Sequence, residues 1–413
     1  MTDLKPKLNI SVIQSTVDDE ENFDGDLSRP GSLDFLILVL TSRKHMVKPE
    51  NFNTFISGYE LFTNASVVWS KILERYMKNY TNLPVADNNF VKLRSAKTIL
   101  EWIRKDPHSI DLGTLHQIEL FANTTLSQDL KSISTMIIKE LESLNKFSVE
   151  IPAVPNEMKF YEDPLRLFYV EKKTTIAEQM TLIDFEIYGK ICYTELTDLK
   201  WSESKEKLHV FARNTISFIK RSNFLALFTA TTILLQKKLK DRINVLTRFI
   251  GIAKCLADLN NYNSLMGIIV GLGQASISRL KLTWSRVPSK DLEIYKNLQQ
   301  FFSPGNAFKL LREKLKAAGT NALPYLGCIL GDLTFMDEGN PNFIMEENTK
   351  LINFPKHQLI NRSITELQQY QKPKFAFHPQ EPLYTLLQQL PALTDRELFS
   401  LCLEREPKQP NPI

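Results

Sequence analysis

The stretch LPYLGCILGDLTFMDEGNP, residues 323–341, decides how this chain is read. Its apolar residues recur at helical spacing, and Pro324 suits a first turn, where a fixed φ helps and a missing N–H costs nothing. Leu326, Ile329, Leu330 and Leu333 share one face, while Tyr325, Cys328, Asp332, Phe335 and Met336 point elsewhere. Gly339 can stop the helix, and Asn340-Pro341 forbids its continuation. The acids Asp337 and Glu338 stand at the helix exit, the unfavourable end of the macrodipole for negative charge. Two readings are open: a core helix with a solvated acidic end, or a helix offered to a partner with an acid aimed at something cationic. Further on, Asn353 can cap a second helix, with Pro355 in its first turn and Ile360, Ile364 and Leu367 on one face. Two such helices joined by a loop make an αα-hairpin.

Working outward, the pattern on both sides is helical. Towards the N-terminus lie GSLDFLILVLTS (31–42), FNTFISGYELFT (52–63), NASVVWSKILERYMKNY (64–80), KLRSAKTILEWIRKD (92–106) and TLSQDLKSISTMIIKELESL (125–144). Closer to the opening stretch, Ile243, Leu246, Phe249, Ile250, Ala253, Leu256 and Ala257 form an apolar helical stripe. Glycine supports the same conclusion: 14 in 413 residues is about half the usual share of roughly 7%, and no hairpin dipeptides stand out. SVEIPAVPNEMKFYEDP (148–164) carries three prolines and no sustained period, which suits a linker. The expected fold is all-α: an acidic tail over 1–30, a helical domain over 31–148, a linker over 149–173, a second helical domain over 174–408, and a short tail over 409–413.

Bulk chemistry excludes several function classes. A net charge of +4 is too small to suggest a nucleic-acid partner. Cys192, Cys255, Cys328 and Cys402 lie far apart in apolar helical contexts and read as buried structural thiols. The histidines at 45, 108, 116, 209, 357 and 378 form no ligand pair at metal spacing, so no metal is expected. GLGQAS (271–276) half-matches a dinucleotide loop, yet it lacks the third glycine and follows a helix rather than a strand. No phosphate-loop or nucleophile-elbow motif appears, so neither a cofactor nor covalent catalysis is expected. With no basic-then-apolar leader and no long apolar run, a cytoplasmic protein is expected.

Several of these pieces, in order, carry a family signature. LNNYNSLMGIIVGL (259–272), SRLKLTW (278–284), LPYLGCILGDLTFMDEGNP (323–341), LINF (351–354), ELQQYQ (366–371) and LCLEREPK (401–408) resemble Ras-type guanine-nucleotide exchange factors. TIAEQMTLIDFEIY (175–188) looks like the usual opening of their catalytic domain, so the resemblance spans about 174 to 408. Residues 52–76 and 92–106 resemble the Ras-exchanger motif that precedes such domains.

The resemblance implies an exchanger that makes no covalent bonds. Its helical hairpin opens the switch regions of a Ras-family small GTPase, perturbs the magnesium and phosphate site, and frees GDP so that GTP enters. By the same resemblance Glu338 engages the GTPase phosphate-loop residue that ligates the metal, Thr334 crowds the metal site, and Tyr325 packs on switch II. Lys220, Arg221, Asn223, Gly273, Arg279, Asp332 and Asn340 are expected to bind the GTPase. Membrane contact would come only indirectly, through the lipidated GTPase. Three positions depart from the family pattern: Gly273 where an asparagine is common, Arg221-Ser222-Asn223 in place of Arg-Phe-Asn, and Phe228 in place of a tryptophan. Gly273 and Ser222 motivate an alternative, a non-catalytic member that binds a GTPase as a scaffold.

Overall fold

The computed structural model describes residues 25–144 and 166–407, apart from 79, 81–82, 304–306, 373–374 and 390–391. They fall into two units, one drawn from Met1–Pro152 and Gly339–Asn361, the other from Ala153–Glu338 and Arg362–Ile413. Both are built of helices, and a single two-stranded sheet is present among the described residues.

The first unit holds α1 (Leu33–Thr41), α2 (Pro49–Gly58), α3 (Ala65–Met77), α4 (Val85–Lys105), α5 (Leu112–Phe121) and α6 (Lys131–Leu144). Local chemistry sets the starts of several. Ser32 accepts from the Phe35 N–H, Asn64 from that of Val67, and Asp111 from that of Thr114, each satisfying a backbone donor that the helix cannot. The core is aromatic at its centre. Tyr59 meets Trp102 edge-on at 5.4 Å, and Phe121 lies within 5.5 Å of Trp69 and 5.0 Å of Tyr76. The Tyr59 hydroxyl donates to the Ser109 carbonyl at 2.6 Å, so its polar end is also satisfied.

The second unit is organised by α7 (Lys173–Tyr188), α8 (Arg213–Leu234), α9 (Leu239–Asp258), α10 (Tyr262–Gly273), α11 (Ser289–Phe301), α12 (Lys309–Ala318) and α13 (Leu326–Glu338). The α9 stripe read from the sequence is buried at Leu246, Phe249, Ile250, Ala253 and Leu256, with Ile243 and Ala257 half-buried at its margins. Helices α8 and α10 approach backbone to backbone. A Cβ on Gly267 would stand 2.8 Å from the Ser222 carbonyl oxygen, and one on Gly271 2.6 Å from that of Ala226. Glycine is therefore required at both, despite its cost within a helix.

After α13 the chain forms β1 (Phe343–Glu346) and β2 (Thr349–Ile352), then α14 (Phe354–Gln368). Helices α15 (Leu383–Gln389) and α16 (Asp395–Arg405) complete the second unit. Strands β1 and β2 pair antiparallel, Phe343 opposite Ile352 and Glu346 opposite Thr349. Ile352 also exchanges backbone hydrogen bonds with Gly31, at 2.9 and 3.0 Å, and it joins Phe354 in the core of the first unit.

Four expectations need correction. The link between the two hairpin helices is a β-ribbon rather than a plain loop: Glu347 and Asn348 take φ of 45° and 68°, the left-handed pair that a tight two-residue hairpin requires. The linker expected over 149–173 does not extend to its end, because Arg166–Val170 is helical and Phe168 is buried against Phe228 and Phe249. The thiols are not uniformly buried: Cys328 and Cys402 are, Cys255 is partly covered, and Cys192 is exposed beyond the end of α7. On α13, Cys328 faces the interior and Ile329 is only half-buried. The acidic run at 18–24, the linker over 149–165 and the tail at 409–413 lie outside the described residues.

Candidate functional site

The base of α13 is pinned by backbone. Leu323 donates to the Asn260 carbonyl at 3.0 Å and accepts from the Tyr262 N–H at 2.9 Å. Between them, Asn261 caps α10 through the Ser264 N–H and donates to the Asp184 carboxylate at 3.0 Å. The start of α13 is thus tied to the start of α10 and to a buried acid of α7.

Tyr325 follows at once, its ring tilted against Phe302 at 6.1 Å and Phe308 at 6.4 Å. Burial raises the phenol above its ordinary pKa. Tyr325, with Leu326 and Gly327, lines a small pocket open to solvent. Ile219, Ser222, Asn223 and Ala226 of α8 and Asn263, Met266 and Val270 of α10 line the rest. Its wall is mainly apolar with a few amides. The Asn263 amide nitrogen is buried there without a hydrogen-bond partner.

Along α13, Leu326, Cys328, Leu330 and Leu333 are buried, whereas Gly331, Phe335 and Glu338 are exposed. The half-buried Thr334 returns its hydroxyl to the Leu330 carbonyl at 2.9 Å, leaving its methyl to shape the surface one turn before Glu338. Phe335 is 81% exposed. A ring of that size left in water on a helix that also carries a candidate acid is a feature that sequence reading did not single out. Its position on the open face, i−3 from Glu338, was the available signal.

Other site residues expected from the sequence divide into two groups. Lys220 and Asn223 are exposed on α8, and Asn223 lines the pocket with Tyr325. Gly273 is exposed at the end of α10, where an added Cβ would meet nothing nearer than the Tyr295 hydroxyl at 3.8 Å. Arg221, Arg279 and Asp332 have intramolecular partners instead. Arg221 is buried, donating to Asp184 at 3.2 Å and to the Leu387 carbonyl at 2.9 Å. Arg279 donates to the Cys402 and Glu406 carbonyls, both at 2.8 Å, closing the end of α16. Asp332 pairs with Arg312. Asn340 lies beyond Gly339, half-buried in the first unit.

Among the described residues no group of three or more His, Cys, Asp or Glu is placed to hold a metal ion. No described helix is long and apolar enough to cross a membrane. What the second unit presents is a surface: an apolar pocket at the base of α13, and an aromatic ring and a carboxylate towards its end.

Comparison with known proteins places the chain in a family. The RasGEF domain family matches residues 175–358, which include α13 and the pocket. Ras guanine nucleotide exchange factor R of Dictyostelium discoideum is 35% identical over 400 residues, covering 93% of this chain and 22% of the relative. Factor S of the same organism is 31% identical over 398 residues, covering 91% of this chain and 38% of the relative. Factor A, also from Dictyostelium discoideum, is 31% identical over 419 residues, covering 96% of this chain and 68% of the relative. The chain spans less than half the length of factors R and S, and about two thirds of factor A. With the family match lying over α13 and a similar relative matched over most of both chains, this chain belongs to the Ras guanine nucleotide exchange factor family.

Proposed function

We infer that this chain accelerates exchange of GDP for GTP on a Ras-family small GTPase. The observation that carries the reading is the layout of α13: Tyr325 beside an open pocket at its base, Thr334 and the exposed Glu338 at its far end. The pocket takes an apolar side chain of the GTPase switch region. Anchored there, the helix carries the Glu338 carboxylate to the GTPase phosphate and magnesium site. A negative charge at that place repels phosphate and competes for the groups that hold the metal. The exchanger stabilises the nucleotide-free GTPase and leaves the overall equilibrium unchanged. Returning nucleotide, mostly GTP in a cytoplasm, then displaces it by mass action.

No bond is made or broken by the chain itself. It works in the cytoplasm and reaches a membrane through its GTPase. The deciding experiment is release of a fluorescent GDP from a panel of Ras and Rap proteins at micromolar exchanger. Acceleration with at least one is expected, and none with any would remove the reading. A second reading, a GTPase-binding scaffold without exchange activity, is favoured by Gly273, which offers no side chain at an exposed position at the end of the pocket-lining helix α10. Capture of nucleotide-free GTPase without faster GDP release would establish it.

A further inference from the structure

We propose that Arg312 and Asp332 form a positioning pair for exchange, setting the tilt of α13 that aims Thr334 and Glu338, and that Asp332 does not itself dock on the GTPase. The inference rests on the exchange reading above. The pair is bidentate: Arg312 Nη1 stands 2.8 Å from one Asp332 oxygen and Nη2 donates to the other at 3.0 Å. Two parallel bonds fix direction as well as distance, which a single contact to a lysine would not.

The guanidinium is itself held. Its Nε donates to the Ala307 carbonyl at 2.8 Å. Ala307 and Phe308 adopt left-handed φ of 50° and 58°, so the start of α12 is a tight turn, and Phe308 packs on Tyr325. One side chain therefore joins that turn, beside the base of α13, to the middle of α13. Two residues apart on a helix, Asp332 lies nearly opposite the buried Leu330. The helix is held by apolar packing on one side and by the ion pair on another.

Leverage explains why this matters. From Leu326 to Glu338 the helix rises about 18 Å, so a swing of about 10° at its base carries the end by about 3 Å. That is the length of a hydrogen bond, enough to take the carboxylate away from its target. The pocket lies at the base of the lever and moves little. Loss of the pair should therefore slow nucleotide release from the assembled complex and leave docking nearly unchanged.

The test uses the full chain and a Ras or Rap protein loaded with fluorescent GDP. Arg312→Asp, Asp332→Arg, the double swap and Arg312→Lys are compared with wild type for kcat, KM and thermal midpoint. Each single reversal should lower kcat about tenfold with KM within about twofold, and the swap should restore most of the rate. Arg312→Lys, keeping charge without the fork, should fall between wild type and Arg312→Asp. Should a reversal lower the midpoint, the swap and Arg312→Lys still decide, because both keep opposite charges together. Unchanged kcat in the singles, or a swap no better than they are, would overturn the proposal. So would a raised KM confined to Asp332→Arg, which is what direct docking predicts. A wild type inert on every GTPase would instead remove the exchange reading.

Discussion

Asp184 accepts from Arg221 Nε at 3.2 Å inside the second unit, with 0% and 6% of the two side chains exposed. The second carboxylate oxygen accepts from Asn261 and Ser264, and the arginine also reaches the Leu387 carbonyl. One buried pair thus links α7, α8, α15 and the start of α10, and through the neighbours of Asn261 it reaches Leu323 at the base of α13. Arg221 is a buried structural group rather than an exposed one. Replacing it with alanine would leave an acid in the interior without its cation, a change that typically costs about 3–5 kcal/mol. Arg221→Ala should therefore shift the urea midpoint strongly downward. An unchanged midpoint with slower exchange would instead make Arg221 a surface contact.

Glu338 should behave in the opposite way. It is exposed on the last turn of α13, so Glu338→Ala should change stability by less than about 0.5 kcal/mol. A lost charge-assisted hydrogen bond is worth about 1.5–3 kcal/mol, or roughly a ten- to hundredfold slower release of GDP. Stopped-flow release at saturating exchanger measures this, and an unaltered rate would deny Glu338 the role given to it.

Gly273 offers a gain-of-function test. The space around its missing side chain is open, with the Tyr295 hydroxyl the nearest atom at 3.8 Å from an added Cβ. Gly273→Asn should fold without penalty, and it places a side-chain amide at an exposed position at the end of the pocket-lining helix α10. Faster exchange, or tighter capture of nucleotide-free GTPase by about 0.5–1.5 kcal/mol, is expected from one new hydrogen bond. No change in either would show that this position lies outside the interface.

These residues also show what a sequence can and cannot disclose. The α9 stripe and the end of α13 were legible because periodicity and Gly339 act locally, whereas Pro324, expected in the first turn, lies two residues ahead of the helix start at Leu326. The β-ribbon was not, since Glu347-Asn348 lacks the glycine that usually marks two left-handed residues in succession. Arg221 and Asp332 read as surface charges because their partners stand 37 and 20 residues away, and spacing does not reveal pairing across the fold. Phe335 was visible as an aromatic off the packed face of α13, but periodicity does not show whether another element covers it, and the structure leaves it 81% exposed.

Phe335 should matter to the partner and not to the fold. Because the ring is 81% exposed, Phe335→Ala removes little packing and should leave the thermal midpoint where it is. If the ring is covered on GTPase docking, its loss removes roughly 1.5–3 kcal/mol of burial, weakening capture of nucleotide-free GTPase by about ten- to a hundredfold. Titration calorimetry with nucleotide-free GTPase reads this directly. Equal affinities for variant and wild type would place Phe335 outside the contact.

Cys328 makes the pH dependence of the second unit testable. Burial pushes its thiol from 9.0 up to about 11, while Sγ donates to the Tyr325 carbonyl at 3.1 Å. The folded chain therefore keeps this proton where the unfolded chain has lost it. The stabilisation is complete below about pH 9 and disappears as pH rises to about 11, a total of roughly 2–3 kcal/mol. Tyr262 and Tyr295, each raised from 10.0 to about 12 by burial, add to the fall from about pH 10 upward in wild type and variant alike. Urea unfolding at pH 8, 9, 10 and 11 should accordingly show the wild type losing stability faster than Cys328→Ala over this range. The variant starts lower, because it lacks a buried side-chain atom, and the two curves should converge towards pH 11. Parallel curves would mean that the thiol ionises equally in both states, and that the base of α13 is wetter than its packing indicates.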